Sequence, residues 1–234
     1  MPAIACSAPS RMIRWLTCFA LMSFCLAIGP EARATPPSPD MPWTKREYLD
    51  FYFLYYKGTR PLPHLRSPEE KAYFDRMIDV ENVSQIASGD LPAKEKRVQI
   101  AVILAIAGEF RAAYEYAVLV GEPLQEELTR VQAFTLDVLD AAVRIDSHPD
   151  NARRTTVFGV VDSLADRSRY SDSQIATLAS ALALHYPAIS RVLAETDRRS
   201  IRNRIAKLEA AEADPAVRAA YARLLKVAEE IESK

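Results

Sequence analysis

The residues that could carry out chemistry in this 234-residue chain lie far apart in the sequence. The three histidines are His64, His148 and His185, and none has a second histidine or a carboxylate at the spacing of a metal site. Asp137 and Asp140 would share one helical face, whereas carboxylate catalysis needs two carboxyl groups across a cleft. We therefore expect no bound metal and no cofactor.

The sequence around these candidates favours structural roles for them. Asp140 and Arg144 are four residues apart, a spacing typical of an ordinary ion pair on a helix surface. His148 and His185 are expected in the last turns of helices, where the helix dipole favours a cation. No G-x-S-x-G nucleophile elbow occurs. The sequence indicates no reaction, although an enzyme of the cell envelope whose carboxylates are assembled by the fold remains the alternative.

An aromatic segment is the first candidate for binding. It covers residues 43–56 and includes Tyr52, Tyr55 and Tyr56. On a helix these aromatic side chains cannot all share one face, because consecutive residues differ by about 100°. Tyrosines that face outward are good anchors for a protein partner. The alternative is a central helix, buried on most sides, whose tyrosine hydroxyls reach polar partners.

A basic loop is the second candidate for binding. It covers residues 57–66, and its prolines stiffen the backbone. The side chains of Arg60, His64 and Arg66 could gather around an anion. The alternative is a structural connector between two helices, because the loop lacks the glycine spacing of a phosphate-binding loop.

Residues 108–117 resemble the turn between the two helices of a tetratricopeptide repeat. The segment has a glycine, an acidic residue, an aromatic residue and then Ala117 at helical spacing. The resemblance covers one hairpin, about residues 94–120, and no second copy follows 34 residues downstream, as an array of such repeats would require. It implies a helix–turn–helix at Gly108 and points to protein binding. The alternative is one long helix that tolerates Gly108.

The N-terminus has the zones of a secretory signal peptide. Arg11 and Arg14 precede an apolar run over residues 15–28, and an A-x-A cleavage motif follows at residues 32–34. The run is shorter than the roughly 20 residues that span a bilayer. We therefore predict that residues 1–34 are removed on export, which leaves no stable membrane span; an uncleaved membrane anchor is the alternative.

The positions of the cysteines and the net charge argue against several classes of function for the mature chain. Cys6, Cys18 and Cys25 are the only cysteines, and all three precede the cleavage motif, so the mature chain should fold without disulfides and without thiolate chemistry. The full chain has 30 Lys and Arg residues against 31 Asp and Glu residues. A balance so near neutrality does not favour nucleic acid as a partner.

Composition and periodicity predict an all-α fold for the mature chain. A proline-rich linker at 35–42 precedes a single helical domain at 43–234. Apolar residues recur every three or four positions, and capping residues mark the helix starts. Short connections predict antiparallel helical hairpins in a compact or gently curved array. Helices are predicted over 43–57, 67–87, 93–107, 109–120, 123–146, 151–167, 172–185, 187–211 and 215–232.

Taken together, these features favour an exported protein, periplasmic or secreted, that binds another protein and is not a catalyst. An envelope adaptor or a chaperone would fit this description. The identity of the protein partner is not indicated by any motif in the sequence.

Overall fold

The computed structural model describes residues 62–147 and 150–232, and within them it contains helices and no strand. The all-α prediction is therefore confirmed for this part of the chain, and none of its helices is long and apolar enough to cross a membrane. The helices are α1 (Pro68–Met77), α2 (Val80–Ser88), α3 (Ala93–Leu119), α4 (Gln125–Arg144), α5 (Asp150–Leu164), α6 (Asp172–Ile189), a 3₁₀ helix (Ser190–Val192), α7 (Glu195–Ala211) and α8 (Pro215–Glu232).

Two helices organise the core. α4 packs against α2, α3, α5 and α6, and α6 also packs against α5 and α8. The predicted apolar stripes face this interior: Leu128 and Val138 of α4 and Leu178 of α6 are fully buried. Each such side chain contributes about 1.5–3 kcal/mol on burial, so these stripes hold the helices together.

The predicted capping residues begin two helices. The Ser67 hydroxyl accepts a hydrogen bond from the backbone N–H of Glu70 at 3.2 Å, and Pro68 occupies the first helical position of α1. Ser171 and Gln174 form a complete capping box at the start of α6. Both helix starts were correctly predicted from the sequence.

The helix predicted over 67–87 is divided in two. α1 ends at Met77, and Asp79 then caps α2 by accepting the backbone N–H of Asn82 at 3.0 Å. An aspartate is among the residues that best satisfy the free N–H groups of a first helical turn. The start signal at Asp79 therefore ends one helix and begins another.

The turn predicted at Gly108 is wrong, because α3 runs without interruption from Ala93 to Leu119. A glycine inside a helix costs about 1 kcal/mol relative to alanine. Buried residues on both sides, among them Ile103 and Phe110, outweigh that cost. The structure therefore lacks the hairpin that the resemblance to a tetratricopeptide repeat implied.

The helix start predicted at Pro187 is also wrong. α6 continues through Pro187 to Ile189, and the next α-helix begins only at Glu195. A proline so near the end of a helix removes one backbone hydrogen bond and leaves the preceding turns intact. Tyr186 and Ile189 are buried on either side of it, which keeps the segment helical.

Gly159 lets α5 approach α3 closely. A Cβ atom at this position would lie 2.1 Å from Nη1 of Arg111, whose guanidinium forms an ion pair with Glu115 at 3.2 Å. Gly108 differs, because a Cβ atom there would meet nothing within 4 Å. The two helical glycines therefore form a matched pair for testing this contact.

We expect Gly108→Ala to raise the free energy of unfolding by about 0.5–1 kcal/mol, since alanine is the better helix former. Gly159→Ala should show no such gain, because the new methyl group displaces the Arg111 guanidinium. In the Arg111→Ala background, Gly159→Ala should recover the gain. Urea denaturation of the three single variants, Gly108→Ala, Gly159→Ala and Arg111→Ala, and of the double variant at 111 and 159 checks this. Equal gains in stability at both glycines in the parent chain would contradict the contact.

Candidate functional site

A cluster of charged side chains joins α4 to α6. α4 contributes Asp137, Asp140 and Arg144, and α6 contributes His185. Asp137 and Asp140 lie three residues apart and Arg144 lies four residues further, so the helical repeat directs all three toward one side of α4. The sequence pairs Asp140 with Asp137 and with Arg144, and the fold adds His185 to these three residues.

The imidazole of His185 is held by a carboxylate on each ring nitrogen. Nε2 lies 2.8 Å from Oδ1 of Asp137, and Nδ1 lies 2.9 Å from Oδ2 of Asp140. The residue is only 8% exposed. Burial opposes the charge, but the two carboxylates outweigh it and raise the pKa of His185 to about 9. His185 is therefore an imidazolium at neutral pH, donating from both nitrogens.

Asp140 is the centre of the cluster. Its Oδ1 accepts from Nε of Arg144 at 2.9 Å and its Oδ2 accepts from Nη2 at 3.0 Å, while Oδ2 also faces His185. Burial raises the pKa of Asp140, but the bonds to His185 and Arg144 outweigh that effect and lower it to about 2. The predicted pair of Asp140 and Arg144 exists, yet its carboxylate is buried and is not an ordinary surface group.

The arrangement joins α4 to α6, and its histidine is not available as a general base. A general base needs a free lone pair, and both nitrogens of His185 are engaged. The two carboxylates flank the ring from opposite sides, so they cannot converge with a ring nitrogen on one ion. Among residues 62–147 and 150–232, no group of three or more His, Cys, Asp and Glu side chains is placed to hold a metal.

The raised pKa of His185 predicts a stability that depends on pH. Its folded value of about 9 exceeds the ordinary 6.5, so its contribution is complete below about pH 6.5 and is lost as the pH rises through 9. We expect the free energy of unfolding to fall by about 3 kcal/mol between pH 6 and 9.5. Urea denaturation across this range measures it, and His185→Gln should flatten the profile. An equally steep profile in that variant would contradict the assignment.

The predicted anion-binding residues His64 and Arg66 lie on a segment attached to the α3–α4 turn and to the first turn of α4. The backbone N–H of Leu65 donates to Oε1 of Glu127 at 2.8 Å, and Nη2 of Arg66 donates to the carbonyl of Pro123 at 3.4 Å. Nδ1 of His64 accepts the backbone N–H of Arg66 at 3.2 Å. These contacts fit the structural connector, and anion binding by these two residues stays a prediction.

The other residues proposed for binding lie outside the described residues. They are Tyr52, Tyr55, Tyr56 and Arg60, and their roles stay predictions. His148 also lies outside. His185 was expected in the last turn of a helix, but α6 extends four residues beyond it, because Pro187 does not interrupt the helix.

The outer face of α3 is the second notable feature. The exposed positions between 98 and 120 are all uncharged, although half-buried Glu109 lies on the same face, and four of the exposed positions lie seven residues apart. Tyr116 and Leu119 are the largest of them, at 67% and 68% exposed. We call this surface the α3 strip, and it consists of Val98, Ala105, Ala112, Tyr116, Leu119 and Val120.

The comparisons with known proteins add no relative to this description. No protein-family model matches the chain, and no curated protein or solved structure matches it either. The site must therefore be interpreted from its own residues.

Proposed function

We propose that this chain is an exported, non-catalytic helical protein that binds another protein through the α3 strip. The observation that carries the proposal is the exposure of apolar side chains along α3, with the largest of them at its C-terminal end. Solvent-exposed faces of helices are normally polar or charged, and exposed apolar surface marks interaction sites. Tyr116, Leu119 and Val120 are each more than half exposed.

The occupant that fits this strip is an amphipathic helix of the partner protein. Val98, Ala105, Ala112 and Leu119 repeat every seven residues, the period at which two helices pack along a shared seam. At about 1.5 Å per residue the strip is about 30 Å long, so a partner helix would need about six turns to cover it. The alanines allow close approach, and Tyr116 and Leu119 serve as anchors.

The charged cluster supports a role without catalysis. His185 has no nitrogen left for proton transfer, and Asp137 and Asp140 lie around one ring instead of across a cleft. The residues of the cluster belong to α4 and α6, and none of them belongs to the α3 strip. An envelope adaptor or a chaperone is the kind of protein that this combination fits.

The proposal includes export and an array of antiparallel helical hairpins. Export follows from the predicted signal peptide at residues 1–34, and the hairpins follow from the short connections between helices. Mass spectrometry of the exported protein should find a chain beginning at Thr35. A mature species that retains Met1 would contradict export with cleavage.

Site-specific crosslinking tests the α3 strip. A photoreactive amino acid at position 119 should crosslink one protein partner in the exporting cell. The same amino acid at position 184 should not, although Leu184 is 73% exposed on α6. The partner, identified by mass spectrometry and purified, should bind the Leu119→Asp variant at least about tenfold more weakly than the parent chain.

The matched control is Leu184→Asp, which introduces the same charge at an exposed leucine outside the strip. Its affinity for the purified partner should equal that of the parent. Equal crosslinking at both positions, or equal loss of affinity in both variants, would contradict the proposal. Crosslinking to a second copy of this chain would contradict it as well, because the strip would then be a self-association surface.

A further inference from the structure

A basic hollow lies where α2, α3 and α4 meet. It has a volume of about 330 Å³, which is near the lower end of small-molecule sites in proteins. It is bounded by the end of α2, the first turns of α3 and the end of α4. We call it the basic hollow, and it is lined by Ala87, Ala93, Lys96, Arg97, Arg144, Ile145 and Asp146.

Positive charge predominates in this lining. Lys96 and Arg97 extend from α3 and Arg144 extends from α4, while Asp146 is the one carboxylate in the lining. Asp140 occupies Nε and Nη2 of Arg144, so Nη1 is the nitrogen that can face a ligand. The charges of Asp137, Asp140, Arg144 and His185 cancel, so the net positive charge of the hollow comes from Lys96 and Arg97, which outnumber the carboxylate of Asp146.

The backbone adds to this positive potential. α3 begins at the wall of the hollow, and no side chain caps its first turn, where Pro92 is the N-cap residue. The N-terminal end of a helix carries partial positive charge and free N–H groups. The end of α4 would oppose this effect, but Nε of Arg97 donates to the carbonyl of Ile145 at 3.1 Å.

The walls of the hollow are held in place by bonds between helix ends. The contact from Arg97 to Ile145 joins the start of α3 to the end of α4. The Ser147 hydroxyl donates in return to the carbonyl of Arg97 at 2.8 Å. Asp146 lies between Ile145 and Ser147 in the sequence, and its backbone is left-handed with φ of 53°. These bonds hold the start of α3 against the end of α4, so Arg97 and Arg144 line the same hollow.

We propose that the basic hollow binds a small oxyanion, either a phosphate or a carboxylate group. Guanidinium groups match the oxygen spacing of both anions, and a lysine adds a compact positive charge. The function is separate from protein binding at the α3 strip. The basic hollow lies at the start of α3, whereas the anchors of the strip, Tyr116 and Leu119, lie at the other end of the helix.

Titration with simple anions tests the proposal on the mature chain. Inorganic phosphate and acetate are added separately at constant ionic strength, and backbone amide shifts are followed by NMR. One or both anions should cause saturable shifts centred on residues 93–97 and 145–147. Saturation by phosphate alone identifies a phosphate site, and saturation by acetate alone identifies a carboxylate site. Saturation by neither overturns the proposal.

Three variants test the residues involved. Lys96→Gln and Arg97→Gln should each weaken anion binding by about tenfold, the loss expected for one charge-assisted contact. Asp146→Asn should strengthen binding, because it removes the carboxylate that repels the ligand. Asparagine also tolerates the left-handed backbone at this position, so the local backbone should be retained.

Lys226→Gln is the matched control. It removes the same charge from α8, which packs against α6 and α7 and not against the basic hollow. Its anion affinity should equal that of the parent. Equal affinities of the Lys96→Gln and Lys226→Gln variants would overturn the proposal, as would an Asp146→Asn variant that binds no more tightly. Circular dichroism confirms that each variant is folded.

Discussion

Asp140→Asn is expected to lower the free energy of unfolding by about 3 kcal/mol at pH 6, since removing one partner of a buried ion pair leaves the other charge uncompensated. The carboxylate of Asp140 binds both His185 and Arg144. His185 would remain buried with Asp137 as its only counter-ion. Urea denaturation at pH 6 measures the loss of stability. NMR titration of His185 should show its pKa falling from about 9 toward the ordinary range.

The matched control for this prediction is Asp162→Asn. Asp162 is also an aspartate that pairs with an arginine, Arg204, but its side chain is well exposed. Exposed pairs contribute at most about 1 kcal/mol, so the loss should be small. Similar losses in both variants, with an unchanged titration of His185, would contradict the central role of Asp140.

Leu178→Ala is expected to lower the free energy of unfolding by about 2–5 kcal/mol, the range for truncating a fully buried leucine. Leu178 lies on α6, which packs against α4, α5 and α8, so the cavity opens at the centre of the helical packing. Alanine is a better helix former than leucine, so the helix itself does not account for the loss. Urea denaturation measures it.

Leu184→Ala is the control on the same helix. Leu184 is 73% exposed, so the same truncation should change stability by no more than about 0.5 kcal/mol. A comparable loss at both positions would show that α6 is not packed as the structure describes. It would also remove the basis for placing α6 at the centre of the core.

The buried faces of α4 and α6 could be predicted from the sequence, because their apolar residues recur at helical spacing. Leu128 and Leu178, which lie on these apolar stripes, are fully buried. Helix boundaries were predicted less reliably where a helix-breaking residue lies among buried apolar residues. Gly108 and Pro187 are both helix breakers by propensity, but neither ends its helix, because buried neighbours decide the outcome.

The charged cluster could not be predicted, because it depends on how α4 and α6 meet. Asp140 and His185 are 45 residues apart, and no spacing rule joins them. A partial signal was present: Asp140 lies among Leu139, Ala141 and other buried residues of α4. A carboxylate within such a run must find a partner, since a buried charge without one is very unfavourable. The sequence predicted an ordinary surface pair with Arg144, and it gave no indication of His185 as the second partner.

The continuity of α3 has a thermodynamic consequence for any partner. A hinge at Gly108 would leave the two halves of the helix free to reorient, and binding would have to restrict that motion. Because α3 is one helix from Ala93 to Leu119, its surface is already ordered. The entropy lost on association then falls mainly on the partner, and this preorganisation favours affinity from a surface of modest area.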